Sequence, residues 1–172
     1  MSTAAYYFAY GSNMNPERVK LRGMSVKGYM SGQLSDYRLA FNKRSTIYPG
    51  AASANIMMSN GSVVEGVIYE LESHRAIEKM DPFEGYPTRY SRHIVPIATQ
   101  EGTLDSWVYP ANEDHIQEGL SPARWYLDHL MAGEAFLSKS YFQDLEAVVT
   151  LPDSDVEPKR HSGSAGNSKN IG

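Results

Sequence analysis

Two short stretches carry residue types that can do proton chemistry without a metal. In MDPFEGYPTRYSR, Met80 to Arg92, a single glutamate, Glu84, stands between Phe83 and the pair Gly85-Tyr86, in a segment bounded by Pro82 and Pro87. A carboxylate held against aromatic rings loses water, which disfavours its charged form and raises its pKa from about 4.3 toward neutrality. A carboxyl group tuned in that way can take a proton from one atom and return it to another. A surface glutamate beside a turn glycine accounts for the same letters, and both readings stand at this point. The second stretch, YYFAYGSNMNPERVK from Tyr6 to Lys20, runs from aromatic residues into Gly11-Ser12-Asn13. Gly11 lets the backbone bend where a Cβ would clash, and the residues after it leave their N–H groups approachable. Close to a helix start at Pro16, such amides can cradle a carboxylate or a developing oxyanion. An ordinary strand-to-helix turn is the plainer alternative.

Other candidates are thinner. Asp81 reads as a residue that caps or stabilises the turn before Glu84, and Arg89 and Arg92 as ion-pairing or solvated cations. The five histidines, at 74, 93, 115, 129 and 161, show no metal-ligand spacing. The chain has no cysteine, so thiol catalysis, disulfides and thiolate zinc sites drop out. The loop after Tyr10 lacks the glycine spacing and the Lys-Ser/Thr pair of a phosphate loop, and Ser12 is not in a G-x-S-x-G elbow. A serine hydrolase built on Ser12 would need a histidine that no motif links to it.

The elements that must position these residues follow from local pattern. Residues 6–10 are aromatic strand formers. Asn15-Pro16 marks the start of a helix over 16–22, ending at Gly23. Strands are predicted over 34–41, 54–58 and 62–71, separated by Pro49-Gly50 and by Asn60-Gly61, a strong hairpin signal. In 63–71 both odd and even positions are mostly apolar, which predicts burial on two sides. A short helix over 74–80 is expected behind Ser73, ended by Pro82. Two more strands follow over 90–99 and 104–109, joined by Gln100-Glu101-Gly102. Ser121-Pro122 opens a helix whose Tyr126, Leu127, Leu130 and Met131 share a core-facing side. A capping box at 140–143 leads the last helix, with Phe142, Leu145 and Val149 at helical spacing. Many short strands with helices gathered at the end predict an α+β fold around a closed or strongly curled sheet.

Composition sets the outer bounds. A chain of 172 residues suits one domain that buries roughly 70% of its unfolded surface. Hydrophobic residues at 41% and aromatics at 11% supply a core rather than a disordered chain. A net charge of −4 is not that of a nucleic-acid binder, so no nucleic-acid partner is expected. No apolar run approaches a membrane span and the N-terminus lacks a signal-peptide layout, so a soluble, cytoplasmic protein without a membrane partner is expected. The domain is expected over residues 1–151. Residues 152–172, ending HSGSAGNSKNIG, are small and polar and read as a disordered tail.

Taken together, several segments resemble the γ-glutamylcyclotransferase-like family. The matches are Tyr7-Phe8-Ala9-Tyr10-Gly11-Ser12-Asn13, Tyr37 through Ser45, Ala54-Asn55-Ile56, Glu65-Gly66-Val67-Ile68-Tyr69, Glu84-Gly85 with Tyr90 behind it, and Ser121-Pro122 leading to Tyr126-Leu127. The Y-G-S-N strand exit and the later E-G turn are specific as an ordered pair. The resemblance implies a small mixed β-barrel with flanking helices and a reaction that needs neither cofactor nor metal. In that reaction the α-amine of a γ-glutamyl compound attacks its own γ-carbonyl, giving 5-oxoproline and a free amine or amino acid. Glu84 would be the general acid/base. Tyr7, Phe8, Ala9, Tyr10, Gly11, Ser12 and Asn13 would line the substrate pocket, with Tyr90 and Tyr109 offering hydroxyls. The implied partner is a small γ-glutamyl molecule; a homodimer is left open. Removal of a γ-glutamyl group from a biosynthetic intermediate, or a non-catalytic γ-glutamyl-binding module, would use the same pocket. The chain departs from many relatives at Ala132-Gly133-Glu134-Ala135 and Ser138 through Tyr141, on the rim expected to meet the departing amine.

Overall fold

Two long antiparallel strands supply most of the sheet. The computed structural model describes residues 4–152; residues 153–172, nearly all of the expected tail, lie outside them. Strand β2 (Val26–Arg44) pairs with β3 (Ala52–Leu71) along almost their full lengths. Strand β1 (Tyr6–Ala9) lies antiparallel on β3, and β4 (His93–Thr99) and β5 (Gly102–Val108) form a hairpin. That hairpin meets β2 on one side and β1 on the other, so the order β1-β3-β2-β4-β5 closes into a barrel. The barrel is mixed because β1 and β5 run parallel while the other pairs are antiparallel. This is the α+β barrel with flanking helices that the sequence predicts. Among the described residues no helix is long and apolar enough to cross a membrane.

Two apolar clusters explain why β1 and β3 are buried on both faces. One cluster draws Phe8, Leu34, Ile56, Val64, Ile68, Ile97 and Val108 from all five strands, and it fills the barrel. The other joins Tyr7, Val67, Tyr69 and Leu71 to Met14, Val19, Ile77, Met80, Leu127 and Leu130 from the helices packed outside. Successive strand side chains point to opposite faces, so Tyr7 and Phe8 belong to different cores. The helices are short: α1 (Pro16–Leu21), α2 (Asp81–Glu84), α3 (Arg124–Met131) and α4 (Lys139–Glu146).

Four local expectations change. Asn60-Gly61 does not separate two strands but lies inside β3, where Met58 pairs with Tyr37 and Val63 with Ser35. The four residues between bulge opposite Asp36, whose carboxylate accepts the Gly61 N–H at 2.9 Å. The turn chemistry is real, with Gly61 at φ +79° and Asp36 at φ +65°; it makes a bulge because the pairing resumes beyond it. The segment His74–Lys79 is a 3-10 helix, and Ser73 contributes no side-chain cap. Pro82 does not end it but stands in the first turn of α2. The last helix is capped by Ser138, whose hydroxyl accepts the Tyr141 N–H, two residues before the expected box.

Gly32 and Gly66 face each other across the β2–β3 ladder. A Cβ on Gly66 would stand 2.3 Å from the Ala9 carbonyl oxygen and 2.8 Å from the Phe8 ring. On Gly32 it would meet Ile97 and Ile68 at 2.7 and 2.8 Å. Both glycines therefore let the barrel interior close over Phe8 and the isoleucines. Gly66→Ala is expected to cost about 1–3 kcal/mol or more in urea unfolding. Gly28→Ala, in β2 with nothing within 4 Å of its Cβ, is expected to be neutral.

Candidate active site

The strand exit and the acidic turn meet on one face of the barrel. After β1 the chain enters a 3-10 turn, Ser12–Met14, whose internal bonds run from the Met14 and Asn15 N–H groups to the Gly11 and Ser12 carbonyls. The earlier N–H groups of such a turn stay outside its own bonding pattern. Asn15 then caps α1, its side chain accepting the Glu17 N–H at 3.1 Å, with Pro16 at the first position. On the other side Asp81 anchors α2. Its carboxylate receives Arg92 Nε at 2.9 Å and Nη2 at 3.0 Å, and the Tyr109 hydroxyl at 2.7 Å. Glu84 is the last residue of α2 rather than a loop residue, and Gly85, at φ +70°, closes the helix behind it.

Asn13 joins the two segments. It is 2% exposed, and its amide group donates to Glu84 Oε1 at 3.1 Å and to the Tyr7 hydroxyl at 2.9 Å. Its amide oxygen accepts Arg22 Nη1 at 3.1 Å and its carbonyl accepts the Tyr69 hydroxyl at 2.6 Å. Arg22 also stands 3.9 Å from Glu84. One turn earlier on α1, Arg18 Nε donates to the Ser12 hydroxyl at 3.2 Å. A guanidinium is a donor without a lone pair to accept a proton, so this contact gives Ser12 no base.

Burial raises the pKa of Glu84, against opposing pulls from Arg22, Arg18, Lys43 and Arg89 in that order. Its side chain keeps 18% of its surface, exposed enough to meet a ligand and buried enough to be shifted. The phenols around it are pushed upward by burial first, with Glu84 adding repulsion at Tyr7, Tyr10, Tyr90, Tyr109 and Tyr126. They are therefore neutral donors and acceptors at any working pH.

A small cavity opens here, with about 310 Å³ of atom-free space once the open solvent at its mouth is included. Of the residues predicted from the sequence, Glu84, Tyr7, Tyr10, Gly11, Ser12, Asn13, Tyr90 and Tyr109 line it. Phe8 and Ala9 do not. Phe8 packs in the cluster that fills the barrel and Ala9 in the cluster on the helix side. Ala54 and Tyr126 line it without having been predicted. Tyr126 was expected only in the core; its ring does pack there, while its hydroxyl reaches the site and accepts the Ala54 N–H at 2.9 Å. Arg18, Arg22 and Lys43 were also missed. The signal for the arginines was their four-residue spacing, which puts both on one face of α1.

The hydroxyl protons can be accounted for one by one. Tyr90 donates to the Ala54 carbonyl at 2.9 Å, Tyr109 to Asp81, and Tyr10 to the Tyr109 carbonyl. Those three brace the cavity. Tyr7 and Tyr126 instead accept, from Asn13 and from Ala54. A phenol has one hydrogen to give, and among the described residues neither Tyr7 nor Tyr126 gives it to the protein. With Ser12, whose hydroxyl likewise only accepts, from Arg18, the site presents a carboxyl group and three uncommitted hydroxyl donors among the described residues. Among the described residues no group of three or more histidine, aspartate or glutamate side chains is arranged to hold a metal ion.

Both the sequence and the barrel match known proteins. The family described as "Gamma-glutamyl cyclotransferase, AIG2-like" matches residues 7–127, and the chain belongs to it. A human gamma-glutamylcyclotransferase is 36% identical over 101 residues, 56% of this chain and 53% of that protein. The match thus spans about half the length of that curated relative. A crystal structure of an uncharacterized protein from Homo sapiens superposes over 92% of this chain and 94% of its own, with TM-score 0.71 and 27% identity. A solved gamma-glutamyl cyclotransferase covers 85% of this chain and 88% of its own, with TM-score 0.66 and 26% identity.

The raised pKa of Glu84 has a stability consequence of definite sign. In the unfolded chain Glu84 ionises near its ordinary value, and in the fold above it. The two states bind protons alike at lower pH, and the folded state is penalised as pH rises between the two values. Glu84→Gln removes that penalty. Its melting temperature relative to the unsubstituted protein is expected to rise with pH above the ordinary glutamate value of about 4.3, measured by calorimetry at a series of pH values.

Proposed function

We propose that the chain is a γ-glutamyl cyclotransferase, converting a γ-glutamyl compound to 5-oxoproline and a free amine or amino acid. The observation that carries this reading is Glu84, a carboxyl group raised by burial, at one wall of a small cavity whose other wall is the exit of β1. Family membership and the named relatives support it. The substrate's α-ammonium must lose a proton before its nitrogen can attack, and Glu84 takes that proton. The nitrogen then bonds to the γ-carbon, closing a five-membered ring and placing negative charge on the γ-oxygen. As the tetrahedral centre collapses, the bond to the departing nitrogen breaks and Glu84 returns its proton there. The attacking nitrogen, cationic once bonded, gives up its second proton through Glu84 to the freed amine, so the products are a neutral lactam N–H and an ammonium and the carboxylate is restored.

The uncommitted hydroxyls of Tyr7 and Tyr126 supply donors for the developing oxyanion, fixed beforehand by the bonds they accept. The first-turn amides around Ser12 and Asn13 are suited to the substrate's α-carboxylate. Because attack is intramolecular, holding the folded-back conformer supplies much of the acceleration. A small braced cavity serves that end better than a wide one.

Glu84→Gln is expected to lower 5-oxoproline release from γ-glutamyl dipeptides by about 10²–10⁴-fold with the fold intact. Wild-type turnover in that variant would remove Glu84 from the role. The acid limb of kcat/KM is expected above the ordinary carboxylate range, since burial raises Glu84 and the base must be ionised. Arg22 pulls that pKa down, so Arg22→Met is expected to move the limb to higher pH, read from a pH–rate profile.

A further inference from the structure

Beyond the cavity lies a wider basin, with about 720 Å³ of atom-free space, sharing Ser12, Glu84, Tyr90 and Tyr126 with it. If the glutamyl head occupies the cavity, as proposed above, this basin receives the half of the substrate that departs. Its charge is one-sided: Arg18, Arg22, Lys43 and Arg89 line it, with Glu84 as the acidic residue.

Two of those cations are already engaged. Arg22 faces Glu84 and Asn13, and Arg18 bonds Ser12. Lys43 and Arg89 differ. Among the described residues neither is in an ion pair. Lys43 is 5% exposed, its ammonium 5.6 Å from the centre of the Tyr90 ring. Arg89 lies over Gly85: a Cβ on that glycine would come 2.0 Å from Arg89 Nε. Gly85 therefore seats the guanidinium next to Glu84. Burial lowers Lys43 to a pKa of about 8, and repulsion from Arg89 is the next cause. A buried ammonium without a carboxylate, held beside a second free cation, is an arrangement that an incoming anion stabilises.

We propose that Lys43 and Arg89 form an anion subsite that holds a carboxylate on the departing half of the substrate, selecting donors that release an amino acid or peptide over donors that release an uncharged or cationic amine. The apolar rim at Ile47 and Phe83, 50% and 45% exposed, adds a surface for a side chain on that same half. This rests on the cyclotransferase reading and settles which of its substrate classes the basin fits.

The test compares γ-glutamyl-phenylalanine with γ-glutamyl-phenylalaninamide, which differ in the terminal charge alone. With the full chain, the acid is expected to exceed the amide in kcat/KM by about 10- to 100-fold, the usual weight of a charge-assisted contact. Lys43→Gln and Arg89→Gln are each expected to shrink that ratio, chiefly through KM for the acid, while Lys43→Arg preserves it. Arg89 is half-buried, so its variant keeps the test open should Lys43→Gln fail to fold. Equal rates for both donors, or variants that lower both by the same factor, overturn the subsite. If neither donor yields 5-oxoproline, the cyclotransferase reading falls. Calorimetric binding of the two donors to Glu84→Gln protein, with and without Arg89→Gln, then reads the subsite alone. Acid-selective binding lost in the double variant upholds it, and equal affinity for acid and amide overturns it.

Discussion

A buried amide side chain ties together two stretches that lie 71 residues apart in sequence. Asn13 spends both its donor and its acceptor on the site: the nitrogen goes to Glu84 and Tyr7, the oxygen to Arg22. Its carbonyl is taken by Tyr69 from the strand beneath. A buried amide left with any of these partners missing would cost its desolvation outright. The exit of β1, the C-terminal end of α2 and the C-terminal end of α1 are thus held to one mutual geometry. An aspartate in that place would put a second acid against Glu84 and give up the donor. A leucine would leave Glu84 and Arg22 buried with fewer bonds. An amide suits both a carboxylate and a guanidinium because it is donor and acceptor at once.

Around that amide, charge and burial are set against each other. Burial drives Glu84 toward its neutral form, and four cations drive it back. The result is a carboxyl group above its ordinary pKa yet able to ionise, the condition a shuttle for protons needs. The local field is positive although the chain carries a net −4. A total charge sums the surface and says nothing of how a cavity is lined. The acidic balance of this chain argues against a nucleic-acid face, and it leaves a basic basin of a few side chains entirely permitted.

The parts of this site legible from sequence were those governed by local rules. Asn15-Pro16 starts a helix through the chain's own dihedral and capping preferences. Gly23, at φ +81°, follows its end through a left-handed backbone. A closed or strongly curled sheet, too, was readable from many short strands followed by helices. What escaped depends on contacts between distant segments. Asn60-Gly61 has the letters of a hairpin, yet it bulges within β3 because β2 continues past it and resumes pairing. Tyr126 sits on an apolar helical face, and pattern alone assigns its ring to the core, which is correct, without showing where the hydroxyl emerges. Lys43 alternates with buried neighbours near the end of β2, and only the folded barrel leaves it without a carboxylate. Phe8 and Ala9 erred the other way. They stand inside a family motif, yet each packs in one of the two cores and lies outside the lining of the cavity that Tyr7 and Tyr10 border.

Missing side chains set the spacing as much as present ones do. Gly66 lets the carbonyl of Ala9 and the ring of Phe8 settle onto β3, which fixes where β1 ends and therefore where the loop after it emerges. At that loop a Cβ on Gly11 would stand 3.2 Å from the Ala54 Cβ and 3.3 Å from the Tyr126 hydroxyl. The absent atom keeps the first turn close to the wall that holds Tyr126 in place. Gly85 makes room for Arg89 in the same manner, one residue from the carboxylate. At each of these points a methyl group would separate partners that must lie within hydrogen-bonding or ion-pairing reach. A small pocket around one glutamate, with a cation-lined basin beside it, is therefore a product of backbone proximity, and side-chain chemistry acts only within the distances that the glycines leave.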